Sequence, residues 1–111
     1  MTELMQNEIA MEMTFHHDSP WFSGHFPDNP ILPGIAQLSI VFEAVRNAAK
    51  NELKILGFKR VKFKQIIKPD DKLEIKAIQD ERDASTYSFT ISVKGEIACS
   101  GIMITKSEIE A

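Results

Sequence analysis

The sequence predicts an α+β protein in which an antiparallel β-sheet wraps around one long central helix. Three observations carry this. A helix opened by Pro33-Gly34 is apolar on nearly every side from Ile35 to Val45. After Gly57 the apolar residues recur with period two, the period of a half-buried strand. Short polar clusters then cut that second half into separate strands. A helix apolar all round is buried all round, and a lone buried helix in a β-rich chain needs a sheet curved around it.

The elements follow in order. Ile9 to His17 form a first strand, with Ile9, Met11, Met13 and Phe15 on one side and Ala10, Glu12, Thr14 and His16 on the other. Ser19-Pro20 ends it, and Trp21-Phe22 are placed to anchor the proline-rich loop that follows to the core, with direct ligand contact as the alternative. Pro33 is placed at the first helical position, where its missing N–H is not needed. The helix runs to about Lys50 or Leu53, its second half turning Val45, Ala48 and Ala49 inward and Arg46, Asn47 and Lys50 outward. Phe58 to Ile66 alternate apolar with basic, and Lys68-Pro69-Asp70-Asp71 is a turn signal. Leu73, Ile75 and Ala77 face inward on the next strand, which the polar turn Asp80-Glu81-Arg82-Asp83 closes. Ser85 to Lys94 put Tyr87, Phe89, Ile91 and Val93 on one face. Gly95-Glu96 make a hairpin into a final strand, Ile97 to Thr105, apolar on both faces in its second half as a central strand would be. Ser107 to Ala111 form a polar tail.

With 111 residues the chain is expected to be one domain, residues 1–111, with a core of about 9–105 and frayed ends. Hydrophobic residues make up 43% and charged residues 26%, as in an ordinary soluble domain. A net charge of -3 excludes the electrostatic footprint of a nucleic-acid binder. The single cysteine, Cys99, excludes an intrachain disulfide and sits amid apolar strand residues as inert core. The N-terminus has no basic-then-apolar signal pattern, and no apolar run approaches the roughly 20 residues that span a membrane. A cytoplasmic protein without membrane insertion is the expectation.

Chemistry is concentrated in one stretch. His25 lies among three prolines in Gly24-His25-Phe26-Pro27-Asp28-Asn29-Pro30-Ile31-Leu32-Pro33-Gly34. This sets a titratable ring on a stiff loop beside a helix N-terminus, whose first backbone N–H groups lack intrahelical partners. One ring base and a set of fixed donors suit proton transfer next to a carbonyl. Gln37 falls in the apolar half of the helix, where its amide needs a partner. His16 and His17 are adjacent, point to opposite faces of a strand, and form no metal pair. Met11, Met13 and Met103 are candidates for lining an acyl tunnel as well as for filling core gaps.

The His25 stretch closely resembles the signature of the β-hydroxyacyl-acyl carrier protein dehydratases of fatty acid synthesis. Val61-Lys62-Phe63-Lys64-Gln65-Ile66-Ile67-Lys68-Pro69-Asp70-Asp71-Lys72-Leu73 looks like the strand, turn and strand of the same family. The resemblance implies a single hot-dog domain and a homodimer or higher homo-oligomer with its acyl tunnel at a subunit interface. It implies dehydration of a (3R)-3-hydroxyacyl thioester to the trans-2-enoyl thioester, in fatty acid or related lipid synthesis. The substrate would be held on acyl carrier protein or coenzyme A, with no metal or organic cofactor. His25 would act as general acid or base, and the Gly34 N–H would bind the thioester carbonyl. Phe26, Pro33, Ile35 and Ser39 would stand against the substrate, with Gln37 and Glu43 as secondary polar groups.

The chain departs from the family at one position. The well-known dehydratases carry a glutamate or aspartate five residues beyond the Pro-Gly glycine, and here that residue is Ser39. Its hydroxyl can orient a water or the substrate hydroxyl but cannot supply a carboxylic proton. Glu43 is one turn further, about 6 Å along the helix axis, and Arg46 or Asn47 can engage it. This version of the motif is similar to a divergent branch, the aryl-polyene-type dehydratases. Two other roles fit the same residues: a non-catalytic module that holds an acyl chain or carrier protein, and an acyl thioesterase.

Overall fold

Alternating side chains dictate which stretches pair, and they account for most of the architecture. The computed structural model of the chain describes residues 8–22, 31–49 and 53–107. Strand β1 (Glu8–Thr14) leads to a 3-10 turn (Pro20–Phe22), helix α1 (Gly34–Ala48), and strands β2 (Leu53–Phe63), β3 (Lys72–Gln79), β4 (Thr86–Val93) and β5 (Glu96–Ser107). The five strands form one sheet in the order β1-β3-β4-β5-β2, antiparallel at every pairing.

The period-two pattern sets the register. On β3, Leu73, Ile75 and Ala77 are fully buried, and on β4 Ile91 joins them. They meet Ala36, Val41 and Val45 of α1 in one core. Each large aliphatic side chain there contributes roughly 1.5–3 kcal/mol by leaving water. Ile9, Met11 and Met13 of β1 and Phe15 beyond it pack against the edge of that core, while Ala10, Glu12 and Thr14 stay exposed. The expected interior place of the last strand is observed, since β5 lies between β4 and β2. Gly101 on β5 makes room for the buried Phe89 ring: a Cβ there would stand 2.9 Å from Phe89 Cζ.

The turns use the residues the sequence offered. Lys68 N–H donates to Asp71 Oδ2 at 2.8 Å, and Asp70 N–H ties the turn to Phe15 C=O at 2.7 Å. Asp80 accepts from Arg82 N–H at 2.7 Å. Hydrogen bonds from the Ser85 side chain and backbone hold the Asp83 carboxyl below its ordinary range.

Several boundaries differ from expectation. The helix ends at Ala48, and β2 starts at Leu53 instead of after Gly57. Leu53-Lys54-Ile55-Leu56 already alternate and pair with the end of β5, and Gly57 lies at a register shift that bends the strand without breaking it. The expected outward Lys50 and the tail beyond Ser107 lie outside the described residues. Pro33 is the cap before the helix, with extended φ −63° and ψ 152°, and not its first residue. The hairpin turns at Lys94-Gly95, one residue earlier, because both take positive φ, 54° and 83°, as a two-residue turn of that hand requires. Finally, β1 stops at Thr14, and His16 turns away to meet Asp70, Nδ1 to Oδ1 at 3.1 Å.

The helix also departs from burial all round. Ile35 is 72% exposed, Ser39 is exposed, and Leu38 and Phe42 are half-buried. Ala48 points outward where it was expected inward. One sheet covers one side of a helix, and the sheet of a single chain reaches the Ala36, Ile40, Ala44 side.

Candidate functional site

The site is built where the loop before α1 meets the chain after β2. Leu32 N–H donates to Ile67 C=O at 2.8 Å, which draws the two segments together. The buried Leu32 side chain locks that junction into the core. Pro33 then fixes the backbone direction, and α1 begins at Gly34. The first helical bonds come from Ala36 N–H and Gln37 N–H to Pro33 C=O, at 3.1 and 3.2 Å. The N–H groups of Gly34 and Ile35 therefore have no acceptor among the described residues. They point out of the positive end of a 15-residue helix, a place that favours an oxygen carrying negative charge.

An apolar rim surrounds those donors. The Phe63 ring, at the end of β2, lies against Gly34: a Cβ on that residue would stand 2.8 Å from Phe63 Cζ. Glycine is thus required for the ring to approach. Phe63 is nevertheless 52% exposed, as are the neighbouring apolar residues Ile35 at 72% and Ile66 at 59%. Large apolar side chains left open around free donors suit a ligand with a polar carbonyl and an apolar body.

Gln37 is almost wholly buried on the inner face of α1. Its Nε2 donates to Leu32 C=O at 3.1 Å. Its Oε1 is buried with no hydrogen-bond partner among the described residues. An unmet buried acceptor costs about 1–3 kcal/mol.

The other expected residues separate. His25 and Phe26 lie outside the described residues, as do Gly24 and Asp28. Ser39 stands on the exposed stripe of α1 above Ile35. Glu43 Oε1 pairs with Arg46 Nη2 at 2.7 Å on that open surface. It is nine residues from Gly34, about 13 Å along the axis, so the structure does not bring it to the donors. Pro33, Gly34, Ile35 and Gln37 are brought together; Ser39 and Glu43 recede from them along the helix. Cys99 is fully buried, and burial pushes its thiol up to about 11, far from a reactive thiolate. Met103 is fully buried in the core. Among the described residues no three metal-ligating side chains come together, and no helix is long and apolar enough to cross a membrane.

Phe63 is the site residue that sequence reasoning missed. It lay inside the second motif and within an alternating stretch, so it read as a strand residue. No spacing in the chain shows that its ring meets Gly34, 29 positions earlier.

Comparison with known proteins bears on this geometry. The profile of one family, described as ApeI-like, ApeI dehydratase, matches residues 2–102. A 3-hydroxyacyl-[acyl-carrier-protein] dehydratase FabZ of Shewanella woodyi is 30% identical over 104 residues, covering 83% of this chain and 68% of the relative. The FabZ of Rickettsia rickettsii is 33% identical over 91 residues, covering 73% of this chain and 63% of the relative. The chain thus spans about two thirds of these relatives' lengths. Among solved structures, the dehydratase heterocomplex ApeI:P from Xenorhabdus doucetiae contains a chain that superposes with a TM-score of 0.82 at 25% identity. That match covers 94% of this chain and 91% of the other.

Proposed function

We propose, from the premise that the chain belongs to the ApeI-like dehydratase family, that it removes water from (3R)-3-hydroxyacyl thioesters to give trans-2-enoyl thioesters. The fold is the hot-dog fold, with one helix laid across a five-stranded antiparallel sheet. The observation that carries the reading is the pair of N–H groups at Gly34 and Ile35, without an acceptor among the described residues, held by the pinned Leu32-Pro33 segment and rimmed by open apolar side chains.

The chemistry follows from what a thioester needs. Its α-proton becomes acidic only as the carbonyl oxygen gains enolate charge. Fixed donors at the Gly34 end of α1 stabilise that charge without reorganising, an effect worth roughly 3–4 kcal/mol for one donor in comparable sites. His25, nine residues before Gly34 in the sequence, takes the C2 proton as general base. The C2–C3 double bond forms as the C3–O bond breaks, and the leaving hydroxide takes a proton to depart as water. An imidazole, with a pKa of about 6.5, can take a proton and return it near neutral pH. Ser39 is left to orient the hydroxyl or a water.

The finer assignments are part of the same proposal. The substrate is carried on acyl carrier protein, as the names of the FabZ relatives say of those proteins. The working form is a homodimer in the cytoplasm. Supporting the dimer, Ile35, Leu56, Phe63 and Ile66 are all more than half exposed although apolar.

The test offers 3-hydroxyacyl and enoyl thioesters on carrier protein and on coenzyme A, following dehydration, hydration and free-thiol release. Both directions should run with little thiol release. His25→Ala should lower kcat by about 10²–10⁴-fold. A wild-type protein that releases thiol but interconverts neither pair would refute the proposal.

A further inference from the structure

We infer that Gln37 is a positioning residue: its side chain and backbone together clamp the two peptide carbonyls that precede Gly34, and so aim the Gly34 and Ile35 N–H donors. The inference rests on the proposed use of those donors and adds a residue to that machinery.

The clamp has two arms. The backbone N–H of Gln37 donates to Pro33 C=O at 3.2 Å. That carbonyl belongs to the peptide plane that carries the Gly34 N–H, so this bond helps set the donor's direction. The side-chain Nε2 of Gln37 donates to Leu32 C=O at 3.1 Å, which fixes the preceding plane. Leu32 is held from the other side by its N–H on Ile67 C=O at 2.8 Å. Between the two planes, Pro33 has its φ closed by its ring, at −63°. Every soft step from the strand side of the molecule to the first donor is therefore restrained, and Gln37 supplies two of the restraints.

Stability alone does not explain an amide here. Gln37 is 4% exposed, and its neighbours Ala36, Ile40 and Val41 are buried and apolar. Its Oε1 is buried with no partner among the described residues. An apolar side chain of the same length would remove that unmet acceptor but take the donor from the Leu32 carbonyl, so one unmet acceptor replaces another and the net change in stability is small. What it would lose is the hold on the Leu32 carbonyl. Loose geometry at a fixed donor is expressed in rate more than in binding, because the donor acts on charge that develops in the transition state.

Gln37→Met tests this, with Gln37→Leu as a second apolar variant should the first fold poorly. Melting temperature should change little, since the unmet Oε1 is removed as the Leu32 carbonyl loses its donor. With an enoyl thioester as substrate, kcat should fall about 10- to 100-fold, the range for a misplacement of about 1 Å, while KM changes by less than threefold. Amide hydrogen exchange should accelerate over residues 31–36 and stay unchanged on β3 and β4. Unchanged kcat, or unchanged exchange at 31–36, overturns the clamp. So does a fall in melting temperature that tracks the loss of rate in both variants, which marks a purely structural role. A wild-type protein inactive on every thioester overturns the reaction and with it the effect on rate; the exchange comparison then decides the clamp by itself.

Discussion

Gly34→Ala is the most direct probe of how the candidate site is closed. The added methyl would stand 2.8 Å from Phe63 Cζ and 3.2 and 3.3 Å from the two Cε atoms. Carbon atoms rest about 3.5–4.0 Å apart, so the ring edge must retreat by roughly 1 Å. It can do so cheaply, because the contact is the far end of a side chain that is 52% exposed. Alanine also gains up to about 1 kcal/mol over glycine in a helix interior, and less at the first turn. Net stability should therefore change by less than about 1 kcal/mol. Activity should respond more, because the methyl and the displaced ring both alter the approach to the free donors. A shift of about 1 Å at a reacting centre costs up to about 100-fold. The assay is a double-mutant cycle with Phe63→Ala, reading melting temperature and kcat/KM for an enoyl thioester. Relative to Phe63→Ala alone, the Gly34→Ala penalty should shrink at least threefold, since the clash is gone. An equal penalty with and without the ring would refute the steric argument. Wild-type kcat/KM in Gly34→Ala would refute the use of this helix end for the carbonyl.

Two further predictions concern the core. Gly101→Ala places the same methyl 2.9 Å from Phe89 Cζ and 3.1 Å from Val61 Cγ2; Phe89 is buried and cannot swing out, so chemical denaturation should show a loss of about 1–3 kcal/mol. Cys99 should resist a thiol-specific disulfide reagent in the native protein at pH 8 and react at once in denaturant. Burial raises this thiol from 9.0 to about 11, so its stabilising effect is complete below pH 9 and is lost as pH climbs through 11. The alkaline loss should reach about 2–3 kcal/mol and be absent in Cys99→Ala.

The strands were legible because their signal is local. Leu73, Ile75 and Ala77, or Tyr87, Phe89 and Ile91, declare their inner face by alternation alone, and the structure buries all six. Boundaries failed where a local rule had a competitor. Gly57 read as a stop, yet β2 carries it at a bulge because the residues on both sides pair with β5. Arg60, with a φ of 56°, marks a second irregularity that no composition rule signals in a non-glycine residue. The helix start was legible from Pro33-Gly34, but the reason for the glycine was not. That reason is Phe63, brought against Gly34 at the end of β2.

The exposed stripe of α1 carries the remaining argument. An all-round apolar pattern predicts burial on every side, whereas one chain's sheet covers one side of a helix only. Ile35, Leu38 and Phe42 were thus read as buried, and in the single chain they are not. Ser39 lies on the same stripe, so the position at which the motif's resemblance leads one to expect a carboxylate faces away from the chain's own core. The next carboxylate up the helix, Glu43, is engaged by Arg46 at 2.7 Å and stands too far along the axis to reach Gly34. On the proposed reaction, no acid on this helix can protonate the leaving hydroxide. The economical solution is a single imidazole: His25 takes the C2 proton and, once charged, returns it to the departing oxygen. On that proposal the carbonyl donors carry more of the developing charge, because no acid on this helix shares it. The proposed mechanism would thus depend on the aim of the Gly34 N–H, and hence on the segment that Leu32, Pro33 and Gln37 hold in place.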